Sequence, residues 1–403
     1  MATIKRRTWT TARGEQREAW VVRYADQDGR WRLKTFDRQR EAKDWLDDTK
    51  PKIKTGQHVP ESKAPTVRAA ATAWIEQGEV DGLESSTMRQ RRLHVDRHIV
   101  PLLGADTKLV RADLASFRND LLRSCSRPMA KKIMVSFKAI LKQAKLAHLA
   151  ANIDPIEKRG QAQRRKKPLK VGIDIPTAPE VKAVIEATAD DPKARALACL
   201  VGFAGLRASE LRGLAWPNVK LDQHKVTVEE RADENCDIGS PKSGAAHREI
   251  GLNATTVEAL RAWKVAQPPI VTKDEDGSEA RRPRKLVFGT ASDRPDGLPN
   301  IHRRLIGPAM VKAGVALPVL DGRSKPVVDK DGKPVMRPKY KRPLHCLRHF
   351  AISSWLKTCN GDFKAVQTRA GHATLALTLD TYGHLLDAND GDQIAAAEKL
   401  VLG

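Results

Sequence analysis

The stretch Pro343-Leu344-His345-Cys346-Leu347-Arg348-His349 decides how the chain is read. It opens a helix expected over Arg348 to Lys357, and His345 and Arg348, three residues apart, face the same way as that helix begins. Unpaired amides at a helix N-terminus can hold a phosphate, and a histidine with an arginine makes a better anion site than either alone. Outward toward the C-terminus, a helix over Phe363 to Ala370 leads into Ala370-Gly371-His372. Ten residues on stands Tyr382, in Thr381-Tyr382-Gly383-His384. It is one of only three tyrosines, and by itself reads equally as a core residue.

Outward toward the N-terminus, an apolar helix over Ala194 to Phe203 ends at Gly205-Leu206-Arg207-Ala208-Ser209-Glu210-Leu211. Gly205 lets the chain turn tightly, Arg207 starts the helix Ala208 to Leu214, and Glu210 lies on the same side and can orient the guanidinium. An Arg–Glu pair of this kind is ordinarily structural. Lys225 to Glu230 and Arg248 to Leu252 read as strands of a small sheet. Between them Ser240-Pro241-Lys242-Ser243-Gly244 would project Lys242 at the sheet edge, where a plain surface lysine is the ordinary alternative. Helices are also expected over Pro179 to Ala187, Thr255 to Ala266 and His302 to Ala313, around Tyr382, and over Gln393 to Leu400. Pro268 to Arg342 is Pro/Gly-rich, and the turn signals Asp321-Gly322 and Asp331-Gly332 suggest an inserted β-hairpin. No internal repeat is expected.

Residues 64–155 read as a helical bundle, with helices over Val67 to Gln77, Ser85 to Arg97, Asp113 to Leu122 and Pro128 to His148. Met134, Phe137, Ile140, Leu141 and Ala144 form one apolar stripe; Arg89, Arg91, Arg92, Lys131, Lys132, Lys138, Lys142 and Lys145 lie opposite. A basic linker, 156–173, carries Arg164, Arg165, Lys166, Lys167 and Lys170. Residues 1–63 begin with strand-like alternation through Ala19 to Ala25, turn at Asp28-Gly29 into Trp31 to Phe36, and continue into a helix containing Ala42, Trp45 and Leu46.

The 403 residues exceed what one core sustains, so several domains are expected. Lysine and arginine number 72 against 49 acidic residues, a net charge of +23. Of this, +6 falls in residues 1–63, +12 in 64–172 and +5 in 173–403, so the bundle and its linker are the most basic part. Such a balance calls for a polyanionic partner, most economically nucleic acid. Five scattered cysteines without a C-x-x-C pair argue against a disulfide framework or zinc ribbon and fit a reducing compartment. No signal peptide or membrane span is evident, so a soluble, cytoplasmic chain with no membrane partner is expected. P-loop, H-E-x-x-H and G-x-S-x-G signatures are absent, as is a carboxylate cluster suited to two metals.

Taken in order, Arg207, Lys242, His345-x-x-Arg348, His372 and Tyr382 resemble the motif series of the tyrosine recombinase (phage integrase) family, over about residues 174–395. Cys346, Ala370 and the long stretch from Gly289 to Arg342 depart from the family pattern. The resemblance implies a multidomain, mainly α chain with small β-sheets. Residues 1–63 would be a β-rich N-terminal arm-binding domain, 64–155 a helical core-binding domain, and 174–403 a mixed α+β catalytic domain with a C-terminal tail. It implies that Arg207, Lys242, His345, Arg348 and His372 form the pocket and Tyr382 is the nucleophile, with no cofactor and no metal. A phenol is a better leaving group than a serine alkoxide, and two guanidiniums can clamp the charge that develops on a phosphodiester.

The activity implied is site-specific recombination through a 3′-phosphotyrosyl intermediate, integrating or excising a prophage or mobile element in a bacterial host, at its nucleoid. The partners implied are double-stranded DNA at attachment sites, a homotetramer on that DNA, a DNA-bending host factor and an excision factor. Two alternatives stay open. One is a type IB topoisomerase-like relaxing enzyme, which shares the pocket logic; the other is a non-catalytic DNA-binding regulator that keeps the fold.

Overall fold

The alternation near the N-terminus folds as three antiparallel strands, β1 (Thr3–Thr10), β2 (Gln16–Ala25) and β3 (Trp31–Phe36), in the order β1-β2-β3. The computed structural model describes residues 2–12, 14–55, 58–156, 168–241, 247–273 and 279–386, in two compact units, 1–162 and 163–403. Val22 and Tyr24 on one sheet face close over Ala42 and Leu46 of α1 (Gln39–Lys54), making a small core of their own. The β2–β3 turn contains Gly29 at φ +74°, and Asp26 Oδ1 accepts from the amides of Asp28 and Arg30. The Asp28-Gly29 signal was therefore read correctly.

The bundle follows as α2 (Val67–Val80), α3 (Ser85–His94), α4 (Val100–Leu103), α5 (Leu114–Ser124) and α6 (Arg127–Gln143). Trp74, Phe117, Leu121, Ile133, Phe137, Ile140 and Leu141 fill its core, with the Phe117 and Phe137 rings 4.9 Å apart. The last helix stops at Gln143, five residues before the expected His148. There Lys145 adopts φ 57° and Leu146, fully buried, folds back so that its amide donates to the Leu141 carbonyl. Burying Leu146 outweighs one more helical turn. Of the expected basic face, Arg91 is half-buried: its Nη1 donates to the Trp74 carbonyl at 2.9 Å and its guanidinium covers the Trp74 ring. Arg89, Arg92, Lys131, Lys132, Lys142 and Lys145 are exposed. Arg164 to Lys167 of the expected linker, and the tail with its helix Gln393 to Leu400, lie outside the described residues.

The second unit is built round α8 (Pro192–Ala204), which follows α7 (Ala178–Ala187) and from Ala196 onward is apolar on every side. An all-round apolar helix must be enclosed, and α10 (Ala254–Ala266) and α13 (Pro343–Thr358) enclose it. Its C-terminus passes through Gly205 into the short helix α9 (Ala208–Gly213). A small sheet of order β4-β5-β8 joins β4 (Val219–Lys220), β5 (Lys225–Val228) and β8 (Arg248–Gly251), with a two-residue-strand hairpin, β6 (Arg231–Ala232) and β7 (Ile238–Gly239), between. A hairpin of β9 (Ile270–Lys273) and β10 (Glu279–Arg282) was not anticipated. Helices α11 (Leu298–Ile301) and α12 (Gly307–Lys312) flank a wider π-turn over His302–Ile306. After α13 come α14 (Phe363–Ala370) and α15 (Leu375–Tyr382), whose Val366, Ala370 and Tyr382 pack on Ile352 and Leu356.

The expected inserted hairpin is present as β11 (Ala316–Pro318) paired with β12 (Met336–Pro338). Contrary to expectation, it encloses an internal repeat. Leu317-Pro318-Val319-Leu320-Asp321, Lys325-Pro326-Val327-Val328-Asp329 and Lys333-Pro334-Val335-Met336-Arg337 recur at a spacing of eight. Each repeat makes one blade. Bridges join Leu320 to Pro326, Val328 to Pro334 and Met336 to Pro318, so the third blade closes on the first. At the centre the amides of Val327, Val335 and Val319 donate in a ring to the carbonyls of Val319, Val327 and Val335, each at 2.8 Å. Asp321 and Asp329 cap the two inner turns, each accepting two backbone amides. Only the Pro-Val pair is identical in all three units, and each unit is just eight residues long, far shorter than the periods by which repeats are usually recognised.

Candidate active site

Two glycines make the pocket possible. Gly205, at φ +61°, lets α8 end against Trp355; a Cβ there would lie 2.7 Å from the indole. Gly371, at φ +64°, ends α14 beneath two guanidiniums; a Cβ there would meet Arg248 Nη1 at 2.9 Å and Arg207 Nη1 at 3.0 Å. Both use the left-handed region that favours glycine.

The cations are held by backbone and one carboxylate. Arg207 Nη2 donates to the Gly371 carbonyl and Nη1 to Glu210 Oε1, both at 2.6 Å. Arg348, almost wholly buried, donates from Nη1 to the Gly205 carbonyl and from Nη2 to the Ala370 carbonyl at 2.7 Å. Burial, and then the neighbouring Arg207, lowers the Arg348 guanidinium to about 10. Glu210 does orient Arg207, as its position on the helix suggested, but it does more. It also accepts from Arg248 Nη1 at 3.1 Å and Nη2 at 2.9 Å, while Arg248 Nε donates to the Arg369 carbonyl. Burial alone would raise the Glu210 carboxyl; its bonds to Arg248 and the charges of Arg248 and Arg207 outweigh this and hold it at about 2.

Two imidazoles line the other wall. His372 Nε2 lies 3.4 Å from Arg348 Nη2, and Nδ1 lies 2.9 Å from Thr378 Oγ1. Because Arg348 can only donate, Nε2 is the acceptor and the proton sits on Nδ1. Burial, then Arg348 and Arg207, lowers His372 to about 4, so it is neutral at pH 7. The Tyr382 hydroxyl, at the end of α15, is 2.7 Å from His349 Nδ1, and the tyrosine is only 2% exposed. Burial raises its phenol to about 12, with Arg348 and Arg207 opposing. Burial, then His345, lowers His349 to about 4.

Of the residues singled out in the sequence, Arg207, Arg348, His372 and Tyr382 come together here. His345, on the first turn of α13, stands edge-on to the His349 ring with centroids 4.3 Å apart, so it is His349 that touches the tyrosine. Lys242 lies outside the described residues. Arg248 was missed. Its signal was present: it occupies an inward position of β8, two residues before buried Ile250, where a charge requires a partner. Cys346, one of the departures noted above, points away and donates to the Pro343 carbonyl. Among the described residues no group of His, Cys, Asp and Glu could hold a metal ion, and no helix is long and apolar enough to cross a membrane.

Guanidiniums, neutral imidazoles and a buried phenol are gathered where two helices end, an arrangement chemically able to hold an anion beside a hydroxyl. No family model matches the chain. Tyrosine recombinase XerC of Xylella fastidiosa (strain 9a5c) is 28% identical over 211 residues, 52% of this chain and 55% of the relative. Tyrosine recombinase XerC of Xanthomonas campestris pv. campestris (strain B100) is 28% identical over 211 residues, 52% of this chain and 50% of the relative. The chain thus spans about half the length of the curated relatives it matches. Among solved structures, the Tn1549 transposon integrase (residues 82–397) in complex with circular intermediate DNA matches with TM-score 0.55. The match covers 82% of this chain and 99% of that one, at 18% identity. A lambda integrase dimer bound to a COC′ core site matches with TM-score 0.50 and 16% identity, covering 94% of this chain and 96% of that one. These structures share the fold. In sequence the chain is thus similar to tyrosine recombinases over about half its length, and in fold it is similar to integrases.

Proposed function

We propose that this protein is a site-specific DNA recombinase of the integrase type, cleaving and rejoining strands through a 3′-phosphotyrosyl intermediate. The observation that carries the reading is the convergence of Arg207, Arg348 and His372 on the carbonyls and turn at Ala370 to His372, with the Tyr382 hydroxyl beside them. In this reading Tyr382 Oη attacks the scissile phosphorus and passes its proton to His349 Nδ1, which is neutral and in contact with it. Arg207 and Arg348 neutralise the non-bridging oxygens, and His372 donates a hydrogen bond to one of them from Nε2 in the tautomer that carries its proton there rather than on Nδ1. His345 supports the His349 ring, and Lys242 protonates the departing 5′ oxygen. The P–O bond to the 5′ oxygen breaks as the bond to tyrosine forms. Attack by a 5′ hydroxyl of a second strand reverses the step, so the bond energy is conserved and no ATP is spent.

The finer assignments belong to the same reading. Residues 1–63 would bind arm-type sites with the sheet, 64–155 would bind the core site, 156–173 would link, and 174–403 would carry the chemistry. Four copies would assemble on attachment-site DNA, assisted by a DNA-bending host factor and an excision factor, in a bacterial cytoplasm at the nucleoid, to move a prophage or mobile element.

The test is a nicked suicide duplex bearing a candidate attachment site, incubated in EDTA and resolved on a denaturing gel. A covalent protein–DNA adduct is expected for the wild type and none for Tyr382→Phe. Absence of the adduct with the wild type would overturn the catalytic reading in favour of the regulator, while relaxation of any supercoiled plasmid would favour the topoisomerase.

A further inference from the structure

The three-bladed insert has features that its own folding does not require. Its blades leave Leu320, Val328 and Met336 at equivalent positions, 52%, 55% and 41% exposed. Folding the insert alone would be served by polar residues at these sites. Around them stand Arg323, Lys325, Lys330, Lys333 and Arg337, all exposed, and among the described residues none of these five forms an ion pair. Residues 316–342 carry eight lysines and arginines against three aspartates. Two of those three, Asp321 and Asp329, each commit Oδ1 to two backbone amides of the turns while staying exposed. Eight cations against three carboxylates still leave the surface net positive.

The insert is also fixed in place. Just beyond β12, Lys339 Nζ and the Tyr340 hydroxyl donate to the two oxygens of Glu180 on α7, at 2.7 and 2.8 Å. The same segment runs directly into α13, which bears His345 and Arg348. A rigid, braced element next to the pocket can set register on a long ligand in a way that a loose loop cannot.

We infer that the 316–342 pinwheel is a second DNA-contacting element of the catalytic unit. Its cations hold backbone phosphates, and its three apolar tips lie against sugar and base-edge surface in a groove. Single apolar residues set among phosphate-binding cations suit a groove wall, where Leu, Met and Pro are used as wedges. A second copy of this chain is the other surface such tips could meet. Charge argues against it: each chain is +23, and the patch itself is cationic. The inference rests on the proposed action on DNA but concerns a different surface from the pocket.

Two measurements on the full chain test it. The first is duplex binding against salt, comparing wild type with Arg323→Gln/Lys325→Gln/Lys330→Gln/Lys333→Gln/Arg337→Gln. A control neutralises five exposed cations elsewhere, Lys182, Arg261, Lys264, Lys312 and Lys357. Each lost phosphate contact reduces the slope of log affinity on log salt by about 0.9. The pinwheel variant should lose about 2 units or more, and at least about twice what the control loses. Equal losses would overturn the inference. The second uses Val328→Cys carrying a photoactivated crosslinker, with identically treated wild type to subtract the native cysteines. A protein–DNA adduct is expected. A protein–protein adduct that forms without DNA would assign the surface to a second copy and overturn the proposal, as would no adduct. If the wild type fails to bind DNA at all, the function reading falls with it. If it binds and the variant matches it, only the pinwheel assignment falls.

Discussion

The pocket and the pinwheel lie next to each other in sequence and treat positive charge in opposite ways. In the pocket Arg207, Arg248 and Arg348 are pinned by Glu210 and by four carbonyls, of Gly371, Arg369, Gly205 and Ala370. On the pinwheel five cations reach solvent with no partner among the described residues. A guanidinium fixed by the protein reacts to a phosphate without reorganising; one on a solvated surface must be ordered by its ligand and is screened by salt. The first arrangement suits catalysis, and the second suits affinity.

The comparison can be broken most sharply at Arg348. Arg348→Ala should slow covalent adduct formation by about 10³-fold, within the range for removal of a preorganised donor, while leaving duplex affinity within a few-fold. A large loss of affinity with intact cleavage would invert the division of labour between the two regions. The next largest effect is on stability. Glu210→Gln leaves Arg248 and Arg207 without their shared anion, and a buried pair broken from one side costs about 3–5 kcal/mol. Urea unfolding should show this as a lower midpoint. Neutralising pinwheel cations, which are exposed, should change the unfolding free energy by no more than about 0.5 kcal/mol.

A further effect is on pH dependence. His349 and His372 both fall to about 4 in the folded chain, below the ordinary histidine value. Between about pH 6.5 and 4 the unfolded chain therefore binds more protons, and stability falls as pH falls through that window. Glu210, held at about 2, adds a second loss from the usual carboxylate range down to about pH 2. Adduct formation should fall on the same acid limb near pH 4, where His349 takes a proton and cannot accept one from Tyr382. A flat rate down to pH 4 would remove His349 from that role.

Much of this was legible in the chain itself. Gly205 before Arg207, Gly371 before His372, and the His345/Arg348 spacing each state a local backbone or helix-face requirement, and local requirements can be read along a sequence. The Tyr24 strand, the Asp28-Gly29 turn and the Met134, Phe137, Ile140 and Leu141 stripe of the bundle core follow from alternation and periodicity for the same reason. The early stop of α6 was not legible, because Leu146 is drawn inward by a core that no window of sequence contains. The eight-residue repeat stood in plain view, but only the ring of bonds among Val319, Val327 and Val335 shows that its turns close on one another.

The sequence by itself determined which groups the chemistry has available and the ends of helices on which they sit, since glycine turns, helix starts and apolar periods act over a few residues. Tertiary structure alone decided that Arg248, 38 residues from Glu210 in sequence, shares its carboxylate, and that His349 and not His345 meets the Tyr382 hydroxyl. Both are outcomes of burial. A charge or a phenol taken out of water is held by whatever partner the packing of distant elements brings within reach, and distance in sequence does not enter.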